Sequence, residues 1–503
     1  MKRAILAVAV SAMAAGLFTA TPASADVDPL DRFRHQTLTW QSCDDPRLDP
    51  AGAQCAQVTV PVDYSAPQAE TMTVAISRLP ATDPARRRGV LLSNPGGPGA
   101  PGLDFMIDVR EAMSSDVRDR YDLIGMDPRG IGRSTPVNCR WQHGFGLESA
   151  GLDGVGFAES VTQQAELAAL CATNEGPRLH HITTRNTARD MDVIRAALGE
   201  ERISYFGTSY GTYLGAVFAQ LFPERSDRFV LDSAVDPEHY GSVGMIRAMG
   251  PVNEAAFDRW ADWVAAHDGE FRFGADRSAV RSTVQTMVRR ANDRPIRIGE
   301  FTVDEHSLPM VLYRGLDDPR NYPLLARQIR QLADAADGIE VRPEPELAAS
   351  LAFMLTARPR DYSPALAVLC GDVEVPRDPA WYWRNIEASR ADQPLFGAFA
   401  NNIPPCAFWA SPPVEQPTVI GHALPSLIVQ STGDTRTTHA GAQVMHRALT
   451  GSRLVTLENV AVHWIYGNYP NTCVDTTVNA YLRDGTLPDT DRVCQDDPGR
   501  EFR

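Results

Sequence analysis

Ile203-Ser204-Tyr205-Phe206-Gly207-Thr208-Ser209-Tyr210-Gly211-Thr212-Tyr213-Leu214 decides how the rest of the chain is read. Residues 203–206 form a short apolar run with strand character, and the segment from Tyr210 to Leu221 reads as a helix stopped by Pro223. Between them, Gly207-Thr208-Ser209-Tyr210-Gly211 fits G-x-S-x-G. The bare pattern is common by chance. A strand entering it and a helix leaving it give it meaning, because small residues beside the serine permit a strained strand-to-helix turn. Such a turn lifts the Ser209 hydroxyl above the sheet, and the helix N-terminus behind it favours developing negative charge. The bland alternative, an ordinary serine in a glycine-flanked turn, does not explain that context.

Outward from this turn the same alternation continues. Residues 57–62, 72–79, 90–93, 121–126 and 229–232 read as strands, and Ala188, Met191, Ile194 and Leu198 lie at helical spacing ahead of Gly199. Strand alternating with helix predicts an α/β fold with a mostly parallel, doubly wound sheet. The alternation breaks from about Glu238 to about Gln416, where amphipathic stretches carry Trp260, Trp263, Leu324 and Leu332. It returns with strand 427–430, helix 441–449, strand 454–457 and helix 474–482. The expected organisation is therefore a leader (1–25), a first core part (26–237), a helical cap (238–416) inserted before the acid-bearing strand, and a second core part (417–503).

A serine nucleophile needs a base, and the base needs an acid to orient it. In chains built on such a turn the acid and then the histidine follow the serine. Asp434, in Ser431-Thr432-Gly433-Asp434, follows one predicted strand, and His463, in Val462-His463-Trp464, follows the next. Both fall past carboxyl ends of strands, the edge where Ser209 sits. His439 is the rival base, but it begins a helix and is close in sequence to Asp434. His180, His181, His239 and His267 are read as ordinary surface or core residues. Asn94-Pro95-Gly96-Gly97-Pro98-Gly99 follows an early strand and is glycine-rich enough for its backbone to approach an oxyanion. The expected donors are Gly96 N–H, with Gly97 as the alternative, and Tyr210 N–H. Gly130-Ile131-Gly132 lacks a third glycine and is rejected as a dinucleotide loop.

The chain has 503 residues, 43% hydrophobic and 22% charged, an ordinary globular balance. Acidic residues outnumber basic ones 63 to 48, for a net charge of -15, which argues against nucleic acid as a partner. Lys2 and Arg3, the apolar run 4–17 and Ala23-Ser24-Ala25 predict a secretory leader cleaved near Ala25. The run is shorter than the roughly 20 residues of a membrane span, and no later stretch could span a bilayer. Eight cysteines in an exported chain predict disulfides, with neighbours pairing as Cys43–Cys55, Cys139–Cys171, Cys370–Cys406 and Cys473–Cys494. Neither C-x-x-C nor H-E-x-x-H occurs, so no metal and no cofactor is expected.

Residues 94–99, 127–134, 207–211 and 230–237, together with Asp434 and His463, resemble the secreted actinobacterial tripeptidyl aminopeptidases. These belong to the proline-iminopeptidase-like branch of the α/β-hydrolases. The glycine loop departs from the H-G-G-P-G of proline iminopeptidases, with Pro95 in place of the histidine. The resemblance implies an α/β-hydrolase fold and a secreted serine peptidase with Ser209 as nucleophile, Asp434 as orienting acid and His463 as base. It further implies release of di- or tripeptides from free amino termini, with a small-ester carboxylesterase as the alternative. An aminopeptidase must hold an ammonium group, and the cap should roof the site. The carboxylates inside or beside the cap are therefore the candidates for that role: Asp236, Glu238, Glu254 and Asp372.

Overall fold

The structure, a computed structural model, describes residues 28–142, 144, 146–357 and 362–497. The expected leader, 1–25, lies outside the described residues. The strands are β1 (Gln54–Pro61), β2 (Thr71–Leu79), β3 (Gly89–Asn94), β4 (Tyr121–Met126), β5 (Ile203–Thr208), β6 (Ser226–Asp232), β7 (Ile296–Ile298), β8 (Phe301–Val303), β9 (Ser426–Ser431), β10 (Ser452–Leu457) and β11 (Arg492–Cys494). Nine of them form one sheet in the order β1-β2-β4-β3-β5-β6-β9-β10-β11. β1 pairs antiparallel with β2, and β2 with β4; every other pairing is parallel.

The parallel strands read as continuous apolar runs because both faces are covered. Val90 and Leu92 turn to one apolar cluster, with Tyr205, Phe218 and Met191, while Leu91 turns to the other, with Phe206, Val230 and Leu457. Helices Thr184–Ala197 and Tyr210–Leu221 cover the first face; Phe105–Ala112 and Thr472–Asp484 cover the second. β3 lies between β4 and β5, so successive connections leave the sheet in opposite directions there. That reversal opens a crevice at the carboxyl ends of β3 and β5, where the glycine loop and Ser209 stand. This is the α/β-hydrolase arrangement.

Between β6 and β9 the chain makes a long excursion. Part of it builds a separate apolar core around Phe257, Trp260, Leu312, Ile329 and Phe396. Its later stretch contributes to both: Leu395, Phe396 and Phe399 belong to that separate core, while Leu366, Leu369, Tyr382, Ile403 and Trp409 join the core on the sheet face. The excursion is mainly helical but contains the hairpin β7–β8. Four disulfides link sequence neighbours: Cys43–Cys55, Cys139–Cys171, Cys370–Cys406 and Cys473–Cys494. Cys370–Cys406 ties the two ends of the stretch that returns to the sheet. Among the described residues, no helix is long and apolar enough to cross a membrane.

Candidate active site

Ser209 stands between β5 and helix Tyr210–Leu221 with φ 56° and ψ -128°, a backbone conformation that a residue with a Cβ rarely adopts. The two glycines of the motif are forced by crowding. A Cβ on Gly207 would lie 2.5 Å from the Gly211 carbonyl, and one on Gly211 would lie 2.5 Å from that of Asn94. The turn is therefore packed tightly enough to hold the strain.

Asp434 and His463 follow β9 and β10, at the same sheet edge. His463 Nδ1 lies 2.9 Å from Asp434 Oδ2 and 3.0 Å from Oδ1. A carboxylate can only accept, so Nδ1 carries the proton and Nε2 is left basic. Asp434 is buried and also accepts from Arg436 N (2.8 Å), Thr437 N (3.0 Å) and Thr437 Oγ1 (2.9 Å). Burial pushes its carboxyl up, but His463 and these amides outweigh that and hold it below the ordinary value.

Asp232, the last residue of β6, links the two arms of the site. Its carbonyl accepts from Ser209 N at 3.1 Å. Its carboxylate accepts from Tyr466 N (2.7 Å) and Ile465 N (3.1 Å), just past the histidine. Ser233 Oγ accepts from Trp464 N at 2.8 Å and donates to Asp232 at 3.2 Å. Full burial pushes the Asp232 carboxyl up to about 7, and the two amides and Ser233 oppose that rise. From the cap side, the Asp317 carbonyl accepts from His463 N at 3.1 Å. Arg436 lies over the Tyr313 ring, 3.5 Å from its centre, and pairs with Asp317 Oδ2 at 3.2 Å.

The glycine loop packs against the turn: a Cβ on Gly96 would lie 2.8 Å from that of Ser209 and 3.1 Å from Tyr210 N. Thr208 Oγ1 ties the loop down by donating to the Pro95 carbonyl at 2.8 Å. Gly96 N–H, the first choice as an oxyanion donor, already donates to Asn94 Oδ1 at 2.9 Å. Gly97 N–H makes no hydrogen bond among the described residues, and Tyr210 N–H, at the first position of its helix, has no intrahelical partner. A cavity of about 550 Å³ opens beside the loop, lined by Gly99, Pro101, Leu103, Arg133 and Tyr362. Neither Ser209 nor His463 lines it.

Three of the four carboxylates expected to hold an ammonium group are engaged elsewhere. Asp372 is buried, accepting from Thr184 N (2.8 Å), Thr184 Oγ1 (2.5 Å) and Tyr240 OH (2.8 Å). It caps helix Thr184–Ala197, and burial pushes it up to about 6 against those donors. Glu254 accepts from Leu395 N (2.7 Å) and Phe396 N (2.9 Å) and pairs with Arg281 at 2.7 Å, inside the cap. Asp236 accepts from the amides of Glu238 (2.9 Å) and His239 (3.2 Å), and Glu238 is exposed. Nearness to the cap in sequence does not show that backbone donors claim Asp236, Glu254 and Asp372. Asp232 and Arg436 carry only weak sequence signals, a place at a strand end and a place near Asp434, and Asp317 carries none.

Residues 393–494, which carry Asp434 and His463, match a family model described as TAP-like protein. The chain is 33% identical over 479 residues to the tripeptidyl aminopeptidase of Streptomyces lividans, across 91% of this chain and 86% of that protein. It is 30% identical to serine protease Hip1 of Mycobacterium tuberculosis, across 91% of each. It is 30% identical to a carboxylesterase B of the same species, across 91% of this chain and 89% of that one. At that identity over nine-tenths of its length, the chain belongs to the tripeptidyl aminopeptidase family of serine α/β-hydrolases.

Proposed function

We propose that the protein is an exported serine aminopeptidase that releases di- or tripeptides from free amino termini through an acyl-enzyme on Ser209. The observation that carries this is the two-point Asp434–His463 contact at the sheet edge that bears the strained Ser209 turn. His463 Nε2 takes the Ser209 proton as Oγ attacks the scissile carbonyl. The N–H groups of Tyr210 and Gly97 receive the oxyanion; Gly96, spent on Asn94, shapes the loop. His463 then gives the proton to the leaving amine, and water repeats the sequence to free the acyl fragment. Asp434 fixes the tautomer and stabilises the imidazolium. The four disulfides support export.

For the substrate ammonium we assign Asp317, whose carbonyl meets the His463 amide and whose carboxylate, though paired with Arg436 at 3.2 Å, is 33% exposed. A second reading, carboxylesterase, draws support from the carboxylesterase-named relative and from the engaged state of Asp372 and Glu254. A free-amine tripeptide anilide, its N-acetylated form and a short acyl ester separate them. Aminopeptidase action predicts cleavage of the first with strong discrimination against the second, and a raised KM for the first alone in Asp317→Asn. Equal cleavage of both anilides, or turnover of the ester only, refutes the aminopeptidase reading.

A further inference from the structure

Away from the active site, Glu159, Glu305 and His306 bring one ligand atom each to within 4.8 Å of one another. Glu159 projects from helix Gly154–Glu175, and Glu305 and His306 precede helix Leu308–Gly315 of the cap. His306 Nε2 lies 3.6 Å from Glu159 Oε2 and 3.6 Å from Glu305 Oε1, too far for hydrogen bonds. On the other side of the ring, Nδ1 lies 2.7 Å from the Ser149 carbonyl. That oxygen can only accept, so Nδ1 carries the proton. In the neutral ring, Nε2 then offers its lone pair to the two carboxylates.

Two further observations mark the cluster as built for an occupant. Nε2 is buried without a hydrogen-bond partner. The Glu305 side chain is only 10% exposed and receives no hydrogen bond from any other described residue. A buried carboxylate facing a buried, unpartnered nitrogen is costly unless something positive lies between them.

We propose that Glu159, Glu305 and His306 bind one divalent transition cation of the zinc class, which fastens the cap to helix Gly154–Glu175. Oxygen and imidazole ligands suit zinc, and tetrahedral bonds of about 2.0–2.2 Å place neighbouring ligand atoms roughly 3.4 Å apart. The two 3.6 Å spacings from His306 are close to this, and the carboxylate oxygens, within 4.8 Å of each other, draw in the remainder. Glu159, 67% exposed, is free to make that adjustment and leaves a fourth position open to water. The Ser149 carbonyl is the outer partner that orients a metal-binding histidine. The ligands come from two distant stretches of chain, so no local motif announces them.

The test is a titration of the full-length protein, stripped with a chelator, with ZnCl₂ alone, followed by calorimetry and by melting temperature. We expect one saturable zinc per chain, a raised Tm, and binding weakened at least tenfold in both His306→Gln and Glu159→Gln. If His306→Gln does not fold, the exposed Glu159 still decides the matter. Absence of stoichiometric binding, or variants that bind zinc as the parent does, overturns the proposal. A cluster whose effect on Tm follows pH and ignores zinc would instead hold a protonated His306 between two carboxylates.

Discussion

An asparagine in place of Asp232 keeps the shape of the side chain and replaces one acceptor oxygen with an amide nitrogen. The carboxylate holds the amides of Ile465 and Tyr466, and through them the loop that presents His463. The carboxamide can still accept from Tyr466 and turn its nitrogen to Ser233 Oγ, so the protein should fold. Above about pH 7, where the Asp232 carboxyl is ionised, both amide bonds then lose their charge-assisted character, a difference of about 1 kcal/mol each between charged and neutral bonds. About 2 kcal/mol against the catalytic placement of His463 corresponds to roughly 30-fold in kcat. KM should stay within about twofold, because Asp232 is buried behind the loop and meets no substrate. Steady-state kinetics on a tripeptide anilide above pH 7, where Asp232 is ionised, reads both. An unchanged kcat would show that the loop is held without Asp232. A raised KM at constant kcat would place the residue in substrate binding.

Asp434→Asn should lower kcat by about 10⁴-fold with the fold intact, because an amide at that position selects the wrong imidazole tautomer; single-turnover kinetics with unchanged circular dichroism checks it. Asp372 tests linkage. Its folded carboxyl is raised from 3.8 to about 6, so between about pH 4 and 6 the folded state binds the extra proton, and stability falls as pH rises through that window. Asp372→Asn should remove about 2 kcal/mol of that decline between pH 4.5 and 7, read as the change in denaturant midpoints, and an unaltered slope would contradict it. Replacing Cys370 and Cys406 with alanine opens a loop of 36 residues and should cost about 4 kcal/mol, read by urea unfolding.

The Ser209 turn was legible because its strand, turn and helix are contiguous in sequence. The longer parallel strands were legible because burial on both faces leaves a short, mainly apolar run in each. Helix Gly154–Glu175 was not, since Gly156, Ser160 and Gln164 occupy its buried stripe and blur the apolar period. β11 and the β7–β8 hairpin, at three residues a strand, are too short to carry alternation. Ser209, Asp434 and His463 could be picked out because each follows a strand in the chain order that the chemistry requires. Asp232 reads as the end of an apolar strand, and only the returning loop, more than 200 residues later, gives its carboxylate a purpose. The partners of Asp372 and Glu254 are set by tertiary contacts in the same way, which sequence position alone does not disclose.

Covalent capture tests the central claim most directly. A fluorophosphonate should react once per chain, and peptide mass mapping should find the adduct on Ser209, in Gly207-Thr208-Ser209-Tyr210-Gly211. Labelling should disappear in Ser209→Ala and slow severely in His463→Ala, since the hydroxyl reacts only when Nε2 removes its proton. Turnover of the anilide should vanish in step with labelling. An adduct on another residue, or full turnover by Ser209→Ala, would contradict the account.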